Sequence, residues 1–201
     1  MPLFNIFTET PPGVTLSREV YVSGDDYVEL SDTEVQQLVN LIREKNGATD
    51  VDELELEKRF PEIYEKLDDV CRDIAHRAAY YEMVIDGYEN GWYDVDMEDA
   101  ISKCEEKYGF KCVFDLDKII EDYYDGEADD INSIEDIDED TLYDVKMEAF
   151  EDWIGKYRKT LKDEEEEASF LEDVFELEPE VDNVDYEVVI PADIIKMSKE
   201  H

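Results

Sequence analysis

The apolar positions near the start of the chain predict a hairpin followed by a helix. Residues 19–30 hold two strand-like runs on either side of Ser23-Gly24-Asp25-Asp26, which has the chemistry of a turn. Ser31 and Glu34 have the spacing of a capping box. The helical spacing of the apolar residues after them predicts a helix that ends near Gly47.

Two long amphipathic helices are the clearest predictions. The first has Pro61 in its first turn and is the candidate central core helix. The second covers 141–162, with acidic residues at its start and basic residues at its end, as the helix dipole favours. The apolar stripe of the first helix consists of Ile63, Leu67, Val70, Ile74, Ala78, Tyr81 and Ile85. That of the second consists of Tyr143, Met147, Phe150, Ile154, Tyr157 and Leu161.

Shorter elements fill the rest of the chain. In order they are a helix over 96–108, a strand over 110–114, a helix over 116–124, an acidic loop over 125–140, an aperiodic segment over 163–185, a strand over 186–190 and a short helix after Pro191. We therefore predict an extended N-terminal arm over 1–17 and one mainly helical α+β domain over 18–201. That domain has two long amphipathic helices and a small antiparallel sheet.

The distribution of charge along the chain indicates a function as well as a fold. The 201 residues carry a formal net charge of −40. Residues 94–187 form the strongly acidic half, with 36 Asp and Glu against 9 Lys and Arg, a net of −27, whereas 18–93 form a less acidic half. Such self-repulsion destabilises a compact state. The charge is therefore the main clue to function.

The sign of the charge excludes several partners. Affinity for nucleic acid comes from cations that neutralise phosphates, so direct nucleic-acid binding is not expected. Anionic membrane surfaces are disfavoured for the same reason. The natural partner is a basic protein surface. Halophilic adaptation is a competing explanation, but 13 Lys against 6 Arg and many Ile and Tyr residues argue against it.

Candidate catalytic and metal-binding residues are few. His76 and His201 are the only histidines, and no glycine-rich phosphate loop occurs, so we predict no enzyme activity and no cofactor. The acidic cluster 125–130 invites a calcium interpretation, but Tyr123 and Tyr124 break the EF-hand pattern, so no dedicated metal site is predicted.

The expected compartment is the cytoplasm, that of the host cell if a phage encodes the protein. Three cysteines without a CxxC pair indicate neither a disulfide framework nor a zinc site. The first residues lack the pattern of a signal peptide, and no apolar run has the length of a membrane span.

The density of carboxylates suggests imitation of a nucleic acid. Phosphates along one strand lie roughly 6–7 Å apart, while carboxylates at positions i and i+4 of a helix lie about 5–6 Å apart. In composition and size, the segment 94–187 resembles the DNA-mimic inhibitors of phages and mobile elements, such as anti-restriction and anti-CRISPR proteins. The resemblance implies a counter-defence role against a nuclease or its complex. It rests on no sequence motif, so no residue role is carried over.

Two acidic patches are the candidate partner-binding residues. The first consists of Asp125, Glu127, Asp129, Asp130, Glu135, Asp136, Asp138, Glu139 and Asp140. The second consists of Glu164, Glu165, Glu166, Glu167, Glu172 and Asp173. Two other functions remain open: an acidic chaperone or antitoxin-like protein that shields a basic partner, and a small enzyme or structural protein with a merely acidic surface.

Overall fold

A computed structural model describes residues 17–124 and 131–200. The fold is mainly helical α+β, as the sequence predicts. The chain divides into two compact units, the first made of Met1–Ala79 with Val181–His201 and the second of Tyr80–Glu180. The predicted arm lies outside the described residues except for its last residue, Ser17. The single-domain boundary at residue 18 stays a prediction.

The elements follow each other as a hairpin and a series of helices. The strands are β1 (Ser17–Ser23) and β2 (Asp26–Ser31). The helices are α1 (Asp32–Glu44), α2 (Leu56–Arg59), α3 (Pro61–Glu89), α4 (Met97–Lys103), α5 (Leu116–Tyr123), α6 (Glu139–Arg158), α7 (Glu164–Phe175) and α8 (Ala192–Lys199). A π-helical turn, Cys104–Tyr108, continues α4, and a 3-10 turn, Ile134–Asp136, precedes α6.

The hairpin and α1 form as their local sequence predicts. The two strands pair antiparallel around Gly24, whose φ of +51° favours glycine. Ser31 Oγ accepts a hydrogen bond from the Glu34 backbone N–H at 3.3 Å, and the Glu34 carboxylate accepts one from the Ser31 backbone N–H at 2.6 Å. This reciprocal capping box satisfies two donors at the start of α1.

The core of the first unit collects one face of the hairpin with apolar faces of the helices. Its fully or nearly fully buried members include Val20, Val28, Leu30, Val35, Leu38, Leu41, Ile42, Leu54, Leu56, Ile63, Leu67, Ile190 and Ile194. Burial alternates along both strands, with Val20, Val28 and Leu30 inward and their neighbours outward. The hairpin therefore has one face in the core and one in solvent.

Helix α3 supplies side chains to two separate cores. Ile63 and Leu67 are buried in the first unit, and Val84 is buried in the second. Ala78, which the stripe places inward, is exposed, and Ile74 belongs to neither cluster of described residues. The prediction of one continuous buried stripe is therefore wrong in its middle, because periodicity does not reveal where packing partners are missing.

The core of the second unit is aromatic and centres on α6. The Phe150 side chain is fully buried, and its ring centroid lies 5.3 Å from that of Phe110 and 6.2 Å from that of Trp153. Tyr157 packs against Phe170 of α7 with the centroids 4.7 Å apart. These are the separations at which aromatic pairs attract each other beyond the burial of their surface. The core thus fixes α6 and α7 by the same ring cluster.

Two predicted strands are absent from the sheet. Residues 110–114 keep the predicted alternation, with Phe110 buried and Lys111 exposed, but pair with no described strand. Residues 186–190 form one isolated bridge, between Val189 and Asp50. Alternating burial indicates an extended chain packed on a core. It does not establish a partner strand.

Two glycines provide a matched pair of stability predictions. We expect Gly87→Ala to lower the free energy of unfolding by about 1–3 kcal/mol, because a Cβ at Gly87 would overlap the Tyr93 ring. We expect Gly155→Ala to raise it by about 0.5–1 kcal/mol, because nothing lies within 4 Å of the added atom in α6. Urea unfolding measures both values. Equal changes for the two variants would contradict the packing of Tyr93 on α3.

Candidate protein-binding surface

The excess negative charge belongs mainly to the second unit. Residues 80–180 hold 36 Asp and Glu against 9 Lys and Arg, a net of −27. Seven of those nine cations already form ion pairs within the unit. Most carboxylates of the unit therefore have no cation of their own. Some of these carboxylates accept hydrogen bonds or ion pairs that stabilise the fold, and others are exposed to solvent without such a partner among the described residues.

The first predicted patch lies only partly in the described chain. Asp125, Glu127, Asp129 and Asp130 lie outside the described residues. The other members are exposed. Glu135 and Asp136 belong to the 3-10 turn, Asp138 caps α6, and Glu139 and Asp140 form its first turn. The predicted acidic loop over 125–140 is thus wrong at its end, where the acids start a helix.

Asp136 and Asp138 have structural tasks. The Asp136 carboxylate accepts the backbone N–H of Asn132 at 3.0 Å and that of Ser133 at 2.9 Å, and these bonds lower its pKa. Asp138 accepts the Tyr124 hydroxyl at 2.7 Å and the Thr141 backbone N–H at 2.9 Å. Donation from Tyr124, then from Thr141, lowers the pKa of Asp138 to about 2. Both carboxylates therefore stabilise the segment that leads into the start of α6.

The second predicted patch lies on α7, where the sequence predicted an aperiodic segment. Three of its members are engaged inside the unit. Glu166 pairs with Lys162 at 2.7 Å, and Glu167 pairs with Arg158 at 2.6 Å. Asp173 accepts Lys107 Nζ at 2.9 Å and the Tyr108 hydroxyl at 2.7 Å, and the bond from Lys107 is the main cause of its lowered pKa. These residues pack α7 and are poor candidates for contacting a partner.

The rest of the second patch is more accessible. Glu164 and Glu165 are exposed in the first turn of α7, where their charge suits the positive end of the helix. Glu172 is also exposed, and its carboxylate adds to the effect of burial in raising the pKa of Tyr80. The predicted patch is therefore divided. Glu164, Glu165 and Glu172 face solvent, whereas Glu166, Glu167 and Asp173 form ion pairs within the unit.

A third acidic surface runs along α6, and Asp140 alone of its members was among the predicted site residues. It consists of Asp140, Asp144, Glu148 and Glu151, all exposed, and we call it the acidic face of α6. At 3.6 residues per turn, these four positions fall within about 80° of the helix circumference. None of the four pairs with a cation of the described chain, although the carboxylate of Glu148 adds to the effect of burial in raising the pKa of Tyr123. The spacing of four, four and three between successive acids was the available sequence signal.

A cleft between α5 and α6 adjoins this face. It has a volume of about 370 Å³, and Val113, 83% exposed, lies at its wall. Its charged lining consists of Asp115, Lys118, Asp122, Glu148, Glu151 and Asp152. Lys118 lies 4.0 Å from Asp122, and Lys156 lies 3.4 Å from Asp152, both pairs being well exposed and therefore weak. The acidic face of α6 and the cleft form one continuous negative surface.

Groups for other chemistry are scarce in the part of the chain that the structure describes. No cluster of His, Cys, Asp and Glu there has the arrangement of a metal site. Cys104 is buried, and desolvation raises the pKa of its thiol to about 11, so the thiol is protonated at neutral pH and unreactive. No helix in 17–124 or 131–200 has the length and apolar content needed to cross a membrane.

Comparisons with known proteins give no match. No model of a protein family, no characterised protein and no solved structure is significantly similar to this chain.

Proposed function

We propose that this protein inhibits a nucleic-acid-binding protein by occupying its basic binding surface in place of DNA or RNA. The observation that carries the proposal is the acidic face of α6, four exposed carboxylates on one side of a helix, none of which pairs with a cation of residues 17–124 or 131–200. The adjoining cleft extends the negative surface available to a partner, and Glu164, Glu165 and Glu172 add further exposed carboxylates to the same unit. The protein acts by binding and performs no catalysis.

The spacing of this face supports imitation of a phosphate backbone. Residues four apart on a helix have Cβ atoms about 5–6 Å apart in a direct line, and successive phosphates of one strand lie roughly 6–7 Å apart in a direct line. Asp140, Asp144 and Glu148 have that separation in succession. Lysine and arginine side chains arranged to meet successive phosphates can therefore meet successive carboxylates of α6.

The cost of the arrangement also supports a binding role. Like charges at i and i+4 destabilise a helix by about 0.2–0.5 kcal/mol per pair. The acidic residues with structural tasks accept hydrogen bonds or ion pairs that offset their cost, as Asp138 and Asp173 do. Asp140 and Asp144 accept no such bond from a described residue, and only Asp140, in the first turn of α6, is favoured by the helix dipole. Their repulsion is relieved when a basic surface covers them.

The proposed target is a nuclease or nuclease complex of a host defence system, in the cytoplasm of the host cell. This part of the proposal rests on the compositional resemblance to phage DNA-mimic inhibitors. Basic surfaces that hold nucleic acid are the surfaces that a rigid array of carboxylates fits best.

A capture experiment tests the proposal. The tagged protein is used as bait in a host-cell lysate at low and at high salt, and duplex DNA is then added to the bound fraction. Release of one nucleic-acid-binding complex by DNA supports mimicry. A basic partner that DNA does not release would overturn mimicry in favour of a shielding protein. Scattered basic proteins that are lost at high salt would show that the charge is only a general surface property.

A further inference from the structure

The outward face of the hairpin brings two tyrosines and two glutamates together. Glu19 of β1 lies directly opposite Glu29 of β2, and Tyr21 lies directly opposite Tyr27. The two rings meet edge to face with centroids 6.0 Å apart, and the side chains are 49% and 42% exposed. Residues two apart on a strand are about 6.8 Å apart, so the rings and carboxylates form one compact group.

The two glutamates are an unfavourable pair for the isolated protein. Like charges directly opposite each other on neighbouring strands destabilise a hairpin. No cation of the described chain pairs with either carboxylate. The nearby Lys66 ammonium donates to the backbone oxygen of Glu29 at 3.3 Å and to the carboxylate of Glu34 at 2.8 Å. The face thus offers negative charge and aromatic surface, and no cation of the described residues neutralises its two carboxylates.

We propose that this hairpin face binds an arginine side chain of a basic partner protein. A guanidinium is planar, stacks on the face of an aromatic ring and can pair with a carboxylate through two parallel N–H donors. Lying on Tyr21 or Tyr27, it reaches Glu19 or Glu29 along the same strand. The Tyr21–Tyr27 pair alone stabilises a hairpin, but that role does not explain two opposed glutamates beside it.

The proposal goes beyond the function proposed above, because it concerns the first unit and none of the residues on α6. The negative charge of the site favours a cationic protein segment as its ligand. Nucleic acid is disfavoured, because a protein of net charge −40 repels it. Arginine is favoured over lysine because a compact, strongly hydrated ammonium neither stacks nor forms two parallel bonds.

The test uses a capped tripeptide with a single arginine, titrated into the ¹⁵N-labelled full chain at physiological salt. One charge per ligand keeps the probe from spreading over several acidic surfaces. We expect the largest chemical-shift changes at residues 19–29 and an affinity about two- to fivefold higher than that of the matching lysine tripeptide. Shift changes centred elsewhere, or equal affinities for the two peptides, would overturn the proposal.

Substitutions separate binding from folding. Glu19→Lys places an opposite charge across from Glu29, so the hairpin should be at least as stable while arginine affinity falls about threefold or more. Glu65→Lys, an equal charge change at an exposed position of α3, is the matched control and should have a smaller effect. Tyr21→Phe should retain binding and Tyr21→Leu should weaken it. Equal losses for Glu19→Lys and Glu65→Lys would show only a general effect of net charge.

Discussion

Replacing Asp140, Asp144, Glu148 and Glu151 together with lysine is expected to weaken binding to the captured partner at least about 100-fold. The four changes remove four negative charges from one face of α6 and add four positive ones, so attraction to a basic surface becomes repulsion. Single substitutions should have small effects because neighbouring carboxylates share the same field. Affinity for the purified partner, measured by titration calorimetry at 0.15 M salt, checks the expectation.

Two control variants make this result interpretable. A neutral set should also lose affinity, while its free energy of unfolding stays within about 1 kcal/mol of that of the parent. The set consists of Asp140→Asn, Asp144→Asn, Glu148→Gln and Glu151→Gln. A lysine set at exposed acids of the first unit, Glu53, Glu57, Glu65 and Asp73, has the same charge change and should retain most of the affinity. Equal losses for both lysine sets would contradict a site on α6.

The largest stability effect is expected from Phe150→Ala, which should lower the free energy of unfolding by about 3–5 kcal/mol. The side chain has no solvent exposure and contacts the rings of Phe110 and Trp153. Its removal leaves a cavity under the helix that carries the acidic face. Urea unfolding followed by tryptophan fluorescence measures the change.

Val113→Ala is the matched control, because Val113 is 83% exposed and should contribute less than about 0.5 kcal/mol. A loss for Phe150→Ala as small as that of Val113→Ala would contradict the aromatic core of the second unit. If the destabilised variant also loses its partner while folded at low temperature, the acidic face depends on the exact placement of α6.

Local signals predicted the ends of elements well. The capping box at Ser31 and Glu34, Pro61 in the first turn of α3 and the left-handed Gly109 after α4 and its π-helical turn all act as the sequence indicates. Each is decided by residues within one or two turns of each other. Contacts between distant segments are not decided locally. The strands predicted at 110–114 and 186–190 therefore have no place in the described two-stranded sheet.

Helix α7 shows a signal that the acidic composition obscured. Asp163 caps the helix by accepting the Glu166 backbone N–H at 2.9 Å, and Glu166 in turn accepts the Lys162 backbone N–H at 3.0 Å. Ala168, Leu171 and Phe175 repeat at helical spacing on the buried side. The four successive glutamates Glu164 to Glu167 form the first turn of α7, and acids in a first turn are themselves typical of a helix start.

The candidate site could be predicted only as a region. Composition places the excess charge in the second unit, but it cannot tell which carboxylates hold the fold. Asp136, Asp138 and Asp173 look like surface charges in sequence and accept structural hydrogen bonds instead. The acidic face of α6 is recognised once the exposure of its four residues is known, because the same spacing suits a helix whose acids pair with neighbouring lysines.

The measurement that tests the central claim most directly is competition between this protein and duplex DNA for the purified partner. Partner bound to fluorescent DNA is titrated with the protein, at several fixed DNA concentrations. Mimicry predicts full displacement of the DNA and an apparent affinity that falls in proportion to the DNA present. Formation of a ternary complex, with the DNA still bound at saturating protein, would contradict it.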